Sequence, residues 1–313
     1  VWKKRKINLV IGAVISVVVL GFISVTFAVK KPTVVVVLKK GDSQYWEIMK
    51  AGMEKGFKDF GIDGKVIVPN DSTTKKQSQL LIKTYKEKPD VIITAPINSS
   101  VSPTLETFTD VPILLVDTDL PIKNKTAYIG TNNLDLGKKA GAFLASQLQP
   151  GNKIAILGGD LTFPVFRERI SGATISLKNA GIKIAFIKTG LPDDPQTIQH
   201  EIIKLMHDQP DIKGIVTTHD TIAIAVIKEL EEQGLLIPVI GPDGLTDMVE
   251  FIANETLPGT MAQNPYDMGY LSVETAMKVA KGQNVDKFVD SGVDIIIKEN
   301  AHDRLDFYKK IVE

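Results

Sequence analysis

The chain has 313 residues, 43% of them hydrophobic, enough for two domains of ordinary size. It has no cysteine, which excludes disulfides, thiolate metal sites, a cysteine nucleophile and a lipid-modified N-terminal cysteine. Net charge is zero but uneven: residues 1–31 carry six Lys or Arg and no acid, leaving 31 basic against 37 acidic side chains elsewhere, a balance that argues against nucleic acid as a partner.

Lys3, Lys4, Arg5 and Lys6 lead into residues 7–29, which are 23 residues without a charge. As a helix at about 1.5 Å per residue this run spans about 35 Å, enough for a bilayer core. Basic residues on the leading side place that end in the cytoplasm and the body outside. A cleaved signal peptide is the alternative, with Thr26-Phe27-Ala28 as a weak cleavage site. Its apolar region is usually about 7 to 15 residues, shorter than this one. The expectation is a retained anchor over 1–31: one transmembrane helix at the cell membrane, single-pass, with the C-terminal body extracytoplasmic.

Val34, Val35, Val36, Val37 and Leu38 form an unbroken apolar run rich in β-branched side chains, as in a strand buried on both faces of a parallel sheet. The chain breaks at Lys39, Lys40, Gly41 and Asp42. Trp46, Met49, Met53, Phe57 and Phe60 then recur at helical spacing, and Gly61 closes the helix. The joint between strand and helix holds Asp42, Ser43, Gln44, Tyr45 and Trp46, at the carboxyl end of a parallel strand, where open α/β sheets place ligands. Strands are predicted over 65–68, 90–94 and 111–116, with helices over 73–86 and 99–108 between them. A brief strand at 128–130 leads into a helix over 134–148. A second series follows, with strands at 153–157, 182–188, 213–216 and 238–241 and helices near 166–180, 197–207 and 221–233. Further strands at 259–263 and 293–297 flank a helix over 264–281. The alternation predicts βαβ units and an α/β fold of two doubly wound parallel-sheet lobes.

Polar groups collect at strand ends: Asp42 and Ser43, Asp117 to Asp119, His219-Asp220, Asp243 and Gln263-Asn264, with Arg167 and Arg169 just after the strand ending at Leu157. Such a mixed shell suits sugar hydroxyls, which donate and accept at once, while aromatic rings cover the C–H faces of a sugar ring. Taken singly, an Asp at a strand end is more often a helix cap or turn former. Asp193-Asp194, adjacent acids before a helix, read most simply as a cap. The sequence has no Walker loop and no Gly-x-Ser-x-Gly elbow, and its four His show no metal spacing. The expectation is a binding protein rather than an enzyme, without a cofactor or a metal.

From about residue 33 to 297 the chain resembles the type I periplasmic sugar-binding proteins, especially the ribose- and xylose-binding group. The stretches that carry the resemblance are 36–61, Ile113-Leu114-Leu115-Val116-Asp117, Tyr128-Ile129-Gly130-Thr131-Asn132, Arg167-Glu168-Arg169, 217–220, 240–244 and Thr260-Met261-Ala262-Gln263. The resemblance implies a three-crossing hinge joining the lobes, with 33–131 plus 264–290 as the N-terminal lobe, 132–263 plus 291–313 as the C-terminal lobe, and one monosaccharide between them. It implies a wall of Ser43, Tyr45 and Trp46. Asp117 and Thr118 would lie against hydroxyls, Arg169 would clamp the ring-oxygen side, and Asp193, His219, Asp243 and Gln263 would complete the shell. Ribose-binding members commonly carry Arg where Thr118 stands and Asn where His219 stands, which points to another pentose, such as xylose, or a hexose. The implied partner is a membrane protein that reads the closed form. A sensor histidine kinase of a two-component system is favoured by the retained anchor. An ABC importer permease is the alternative, and a sugar-like quorum signal an alternative ligand.

Overall fold

The computed structural model describes residues 30–39, 43–69 and 73–312. The anchor expected over 7–29 lies outside these residues, as do Lys40, Gly41 and Asp42. No helix among the described residues is long and apolar enough to cross a membrane. The chain divides into two units, Val1–Pro32 and Thr33–Glu313, and the fold described here is that of the second.

The first series runs β1 (Thr33–Val37), α1 (Gln44–Phe60), β2 (Asp63–Ile67), α2 (Thr74–Lys86), β3 (Val91–Thr94), a 3-10 turn at Ser99–Val101 continuing into α3 (Ser102–Leu105), β4 (Ile113–Val116) and β5 (Lys125–Gly130). These strands pair in parallel in the order β5-β4-β3-β1-β2. The apolar run of β1 is buried from both sides, as its composition requires. Val34 and Val36 face Met49, Met53 and Phe57 of α1. Val37 faces Leu81 of α2 and Leu105 of α3. Gly61 ends α1 with φ +66, a left-handed conformation that costs a glycine little.

The second series runs α4 (Asn133–Ser146), β6 (Lys153–Leu157), α5 (Pro164–Asn179), β7 (Lys183–Lys188), α6 (Pro195–Asp208), β8 (Ile212–Thr217), α7 (Asp220–Glu232), β9 (Val239–Ile240), β10 (Pro242–Asp243), α8 (Thr246–Ala253) and β11 (Thr260–Gln263). The chain ends with α9 (Pro265–Ala280), β12 (Phe288–Asp290), β13 (Val293–Ile296) and α10 (Lys298–Val312). Strands β7-β6-β8-β9 form a parallel sheet, and β10-β11-β13 form a separate mixed sheet. Gly241 alone separates β9 from β10, so the strand expected over 238–241 is confined to Val239–Ile240 and the residues just after it pair in another sheet. The second half is not wholly parallel, because β13 runs antiparallel to β11. Its register is Thr260 opposite Ile296 and Gln263 opposite Val293.

The chain passes between the two sets of sheets three times. It leaves the first sheet after Gly130, and it returns after Gln263 to lay α9 against α1 and add β12 beside β5. It leaves again after Asp290 to form β13. Side chains stitch these crossings together. Thr131 Oγ1 donates to Gln263 Oε1 at 3.0 Å and lies 3.4 Å from Ser291 Oγ, and the Ser291 amide donates to the Gly130 carbonyl at 2.9 Å.

Several boundaries depart from the sequence expectations. The helix expected over 99–108 stops at Leu105, where Thr107 and Phe108 turn back in loop hydrogen bonds. The strand expected over 65–68 begins at Asp63, because Thr33 opposite Asp63 sets its register. Three elements lie outside the sequence expectations, two because they are short and one because it is mostly charged. These are α8, the short β12, and α10, whose sequence KENAHDRLDFYKKIV is mostly charged yet buries Ala301 and Tyr308.

Candidate functional site

The site side chains leave the carboxyl ends of strands or the helix starts that follow them, facing a cavity of ≈ 330 Å³. It is lined by Lys39, Tyr45, Trp46, Ile97, Asp117 and Thr118 from the first half of the fold, and by Phe163, Val165, Phe166, Arg169, Asp193, His219, Asp243 and Gln263 from the second. Nine of the ten residues singled out from the sequence are brought together here. Ser43 is not among the lining residues; it precedes α1 and its side chain makes no cap hydrogen bond.

Asp117 anchors the first wall. It follows β4 with φ +64, a left-handed backbone that Asp tolerates better than most residues. Its amide donates to the Ile129 carbonyl at 3.0 Å, and the Tyr128 hydroxyl donates to its carbonyl at 3.0 Å, so the turn is held from both sides. Tyr45 donates to Oδ1 at 2.9 Å, while Lys39 (2.6 Å) and Thr118 (2.9 Å) donate to Oδ2. Burial alone would raise this carboxyl. The Lys39 charge and the hydrogen bonds from Lys39, Thr118 and Tyr45 outweigh it and hold Asp117 below its ordinary range. The Tyr45 hydroxyl moves the other way: burial and the Asp117 charge push it well above its ordinary range, so it stays a donor. Tyr45 packs edge-on to Trp46 with ring centres 5.1 Å apart, and the Lys39 ammonium lies 5.3 Å from the centre of the Trp46 ring.

Arg169 anchors the second wall and is only 6% exposed. Nε donates to Asn133 Oδ1 at 2.9 Å, and Nη1 donates to the Thr218 and Pro242 carbonyls and to Asp243 Oδ1 at 2.8, 3.2 and 3.1 Å. Among the described residues nothing engages Nη2, so this wall keeps one guanidinium edge for a ligand. The position of Arg169 depends on two glycines. A Cβ on Gly137 would collide with the Arg169 carbonyl, and one on Gly172 with the Leu134 carbonyl, so α4 and α5 approach as closely as they do only because neither residue has a side chain.

Gln263 Nε2 donates to Asp243 Oδ1 at 2.6 Å, and the Asp220 amide donates to Oδ2 at 3.3 Å. Asp220, fully buried behind Asp243, accepts from the Asp243 and Leu245 amides at 3.2 and 2.7 Å. Burial, then the Asp243 charge, push the Asp220 carboxyl well above its ordinary range despite those amides. It braces the turn that carries Asp243 and does not line the cavity. His219 stacks on Phe166 with ring centres 4.8 Å apart. Its Nε2 lies 2.6 Å from Asp193 Oδ1 and its Nδ1 3.0 Å from Thr218 Oγ1. The Asp193-Asp194 pair thus divides its labour: Asp194 caps α6 by accepting from the Thr197 amide at 2.9 Å, while Asp193 turns to His219.

Sequence reading missed Lys39, whose only signal was its place just past the first strand, and the Phe163/Phe166 pair, which reads as an ordinary helix start. It also missed the support given by α10. Arg304 Nη2 donates to the Gln263 carbonyl at 3.0 Å, and Tyr308 donates to the Gly244 carbonyl at 2.7 Å, fixing both segments that supply the second wall.

Two α/β halves joined by three crossings, with a polar and aromatic cavity at the strand ends, are the architecture of a solute-binding protein. Residues 34–284 match the family described as periplasmic binding protein domain, and the chain belongs to that family. The chain is 26% identical to the ribose import binding protein RbsB of Bacillus subtilis over 254 residues, covering 80% of this chain and 82% of that one. It is 26% identical to the D-allose-binding periplasmic protein of Escherichia coli, covering 80% and 85% respectively. Among solved structures, it resembles GanP, a glucose-galactose binding protein from Geobacillus stearothermophilus, with TM-score 0.79, 26% identity and coverage of 87% and 99%. These relatives are named as binding proteins, not as enzymes.

Proposed function

We propose that the chain is an extracytoplasmic receptor for one monosaccharide, a pentose such as xylose or a hexose, held in the cavity between Asp117 and Arg169. The observation that carries this reading is the convergence of two hydrogen-bonded carboxylates, one guanidinium edge and the Trp46 and Phe166 rings on a single cavity. Sugar hydroxyls need acceptors and donors together, and an aromatic face needs the ring's C–H side. The binding activities named for the ribose and allose relatives support the same class of ligand.

Residues 33–131 with 264–290, and 132–263 with 291–313, act as two lobes that close on the sugar about the three crossings. The sugar biases the closed form only through contacts it lacks in the open form. The membrane partner that reads the closed form is an ABC importer permease, supported by the import role in the relatives' names. The uncharged run at 7–29 supports a second reading, an anchored co-receptor of a sensor histidine kinase. A thermal-shift and calorimetry panel of pentoses and hexoses tests the ligand class. Saturable binding of one sugar is expected, and no response across the panel would refute the reading.

A further inference from the structure

Helix α10 packs mainly on α8 and also touches α1 of the first half. Its Ala301 and Tyr308 share one buried apolar cluster with Ile48 of α1 and Met248 of α8. From this helix Arg304 reaches into the joint between the halves, its side chain 14% exposed and all three guanidinium nitrogens engaged. Nε donates to the Tyr308 hydroxyl at 3.0 Å, one turn along the same helix. Nη1 donates to Asp294 Oδ2 at 3.3 Å, just past the third crossing. Nη2 donates to the Gln263 carbonyl and to Asn264 Oδ1, both at 3.0 Å, in the second crossing. Asn264 carries the network on, because its Nδ2 donates to the Ser291 carbonyl at 3.4 Å in the third crossing. A separate cavity of ≈ 60 Å³ is lined by Arg304 together with Asp267 of α9 and Asp294 of β13, so this one cation faces an acid from each half. Burial, then the Asp294 charge, raise the Asp267 carboxyl, and the Arg304 charge opposes them.

We infer that Arg304 is a positioning residue of the joint: it locks the second and third crossings to α10, and so to each other, and holds the backbone from which Gln263 presents its side chain to the cavity. Its bearing on affinity rests on the sugar reading given above; the locking of the crossings does not. Arg304 is not among the residues lining the cavity, so it acts through Gln263, which is. A guanidinium is a rigid plane with five donors at fixed angles. Two backbone segments bonded to one such plane cannot turn independently. Crossings are where a hinge absorbs its changes of φ and ψ, so tying two of them together makes their rotation a single motion. The first crossing joins the same unit, because Thr131 Oγ1 donates to the Gln263 side chain. Without Arg304 the second and third crossings turn separately, the Gln263 carbonyl and Asn264 lose a charged donor, and Asp267 and Asp294 face each other without their shared cation. Ligand must then order what the free protein leaves loose, and affinity falls. A lysine keeps the charge but loses the fork, so it recovers only part of the effect.

Two measurements on the full chain test this. The first is hydrogen–deuterium exchange without sugar. In Arg304→Met, peptides spanning 130–132, 263–265 and 290–294 should exchange about threefold faster or more, while those of β6 and β8 keep their protection. The second is calorimetry with ribose, xylose, allose and glucose, using whichever of the four the natural chain binds most tightly. Arg304→Met should weaken that affinity about tenfold, the loss expected for a charged donor, and Arg304→Lys by less. Gln263→Ala should mask the effect: the double variant Gln263→Ala/Arg304→Met should bind no more weakly than Gln263→Ala alone, the signature of one residue acting through the other. A merely structural Arg304 would lower the melting temperature and leave the affinity of the folded protein untouched. Where Arg304→Met does not fold, Arg304→Lys carries both measurements. Unchanged exchange at the crossings overturns the inference, and so do affinity losses that simply add in the double variant. Binding of none of the four sugars contradicts the sugar reading, and the exchange measurement then decides the locking of the crossings by itself.

Discussion

Asp117, which is partly buried, and Asp220, which is fully buried behind the cavity, are moved in opposite directions by their environments. Burial acts on each. Around Asp117 it is overcome by Lys39, Thr118 and Tyr45; around Asp220 it is reinforced by the Asp243 charge. The consequences for stability are opposite in sign. A folded carboxyl held below its unfolded value adds stability that is present above the unfolded value, about 3.9 for Asp. That stability is lost as pH falls through the folded value. A raised carboxyl adds stability below the unfolded value and loses it as pH rises through the folded one. Urea unfolding of Asp117→Asn should therefore weaken less steeply below about pH 4 than the natural chain. Asp220→Asn should lose less stability on going from acid to neutral pH. An unchanged acid slope in Asp117→Asn would contradict the ion pair. For binding, Asp117→Ala removes a buried acceptor and should abolish measurable sugar affinity while the fold persists in circular dichroism. Trp46→Ala should cost about 1–3 kcal/mol of binding if its ring covers the sugar; a lower melting temperature with unchanged affinity would assign the ring to the core alone.

Helix α5 brings Arg169 to the cavity only because Gly137 and Gly172 let α4 and α5 touch along their backbones. Gly137→Val should force the helices apart at a cost of about 1–3 kcal/mol, and should weaken sugar binding although residue 137 is no part of the cavity. Melting temperature and calorimetric affinity measured together check both halves of that expectation. A second pair joins elements across the two halves. Helix α8 has Leu245 at its cap position, which offers no side-chain acceptor. The orphan Thr246 amide is instead satisfied by Gln44 Oε1, at 3.1 Å, from the first turn of α1, and Gln44 Nε2 donates back to the Thr246 hydroxyl. Separating the two halves would break this link, so on the proposed closing of two lobes Gln44→Ala should shift the balance toward the open form and cost about 1 kcal/mol of apparent affinity. Equal affinity in that variant would show the link to be idle. The same elements show what the sequence could reveal. The β-branched run of β1 and the Met49–Met53–Phe57 spacing of α1 are strong periodic signals, and both elements stand where they are expected. Helix α10 carries no such stripe, because it packs through Ala301, Tyr308 and the Arg304 hydrogen bonds rather than an apolar face. The change of sheet at Gly241 and the antiparallel return of β13 depend on pairing partners far along the chain, which local composition does not encode.

Over the whole molecule, the same three crossings that make the second half dependent on the first also bring the cavity residues together. Asp117 and Gln263 lie 146 positions apart in the chain and yet line one cavity, because the return after Gln263 is tied to the exit after Gly130 through Thr131. Strand-end polarity marked most of these residues in the sequence. It could not show that Lys39 belongs with them or that Ser43 does not line the cavity, since in the sequence both are simply polar residues that follow the first strand. Small-angle X-ray scattering, with and without the sugar that the calorimetric panel identifies, tests the central claim most directly. The account predicts a smaller radius of gyration on saturation, with the Asp117→Ala variant unresponsive to the same sugar. Identical profiles for the natural chain with and without saturating sugar would contradict it.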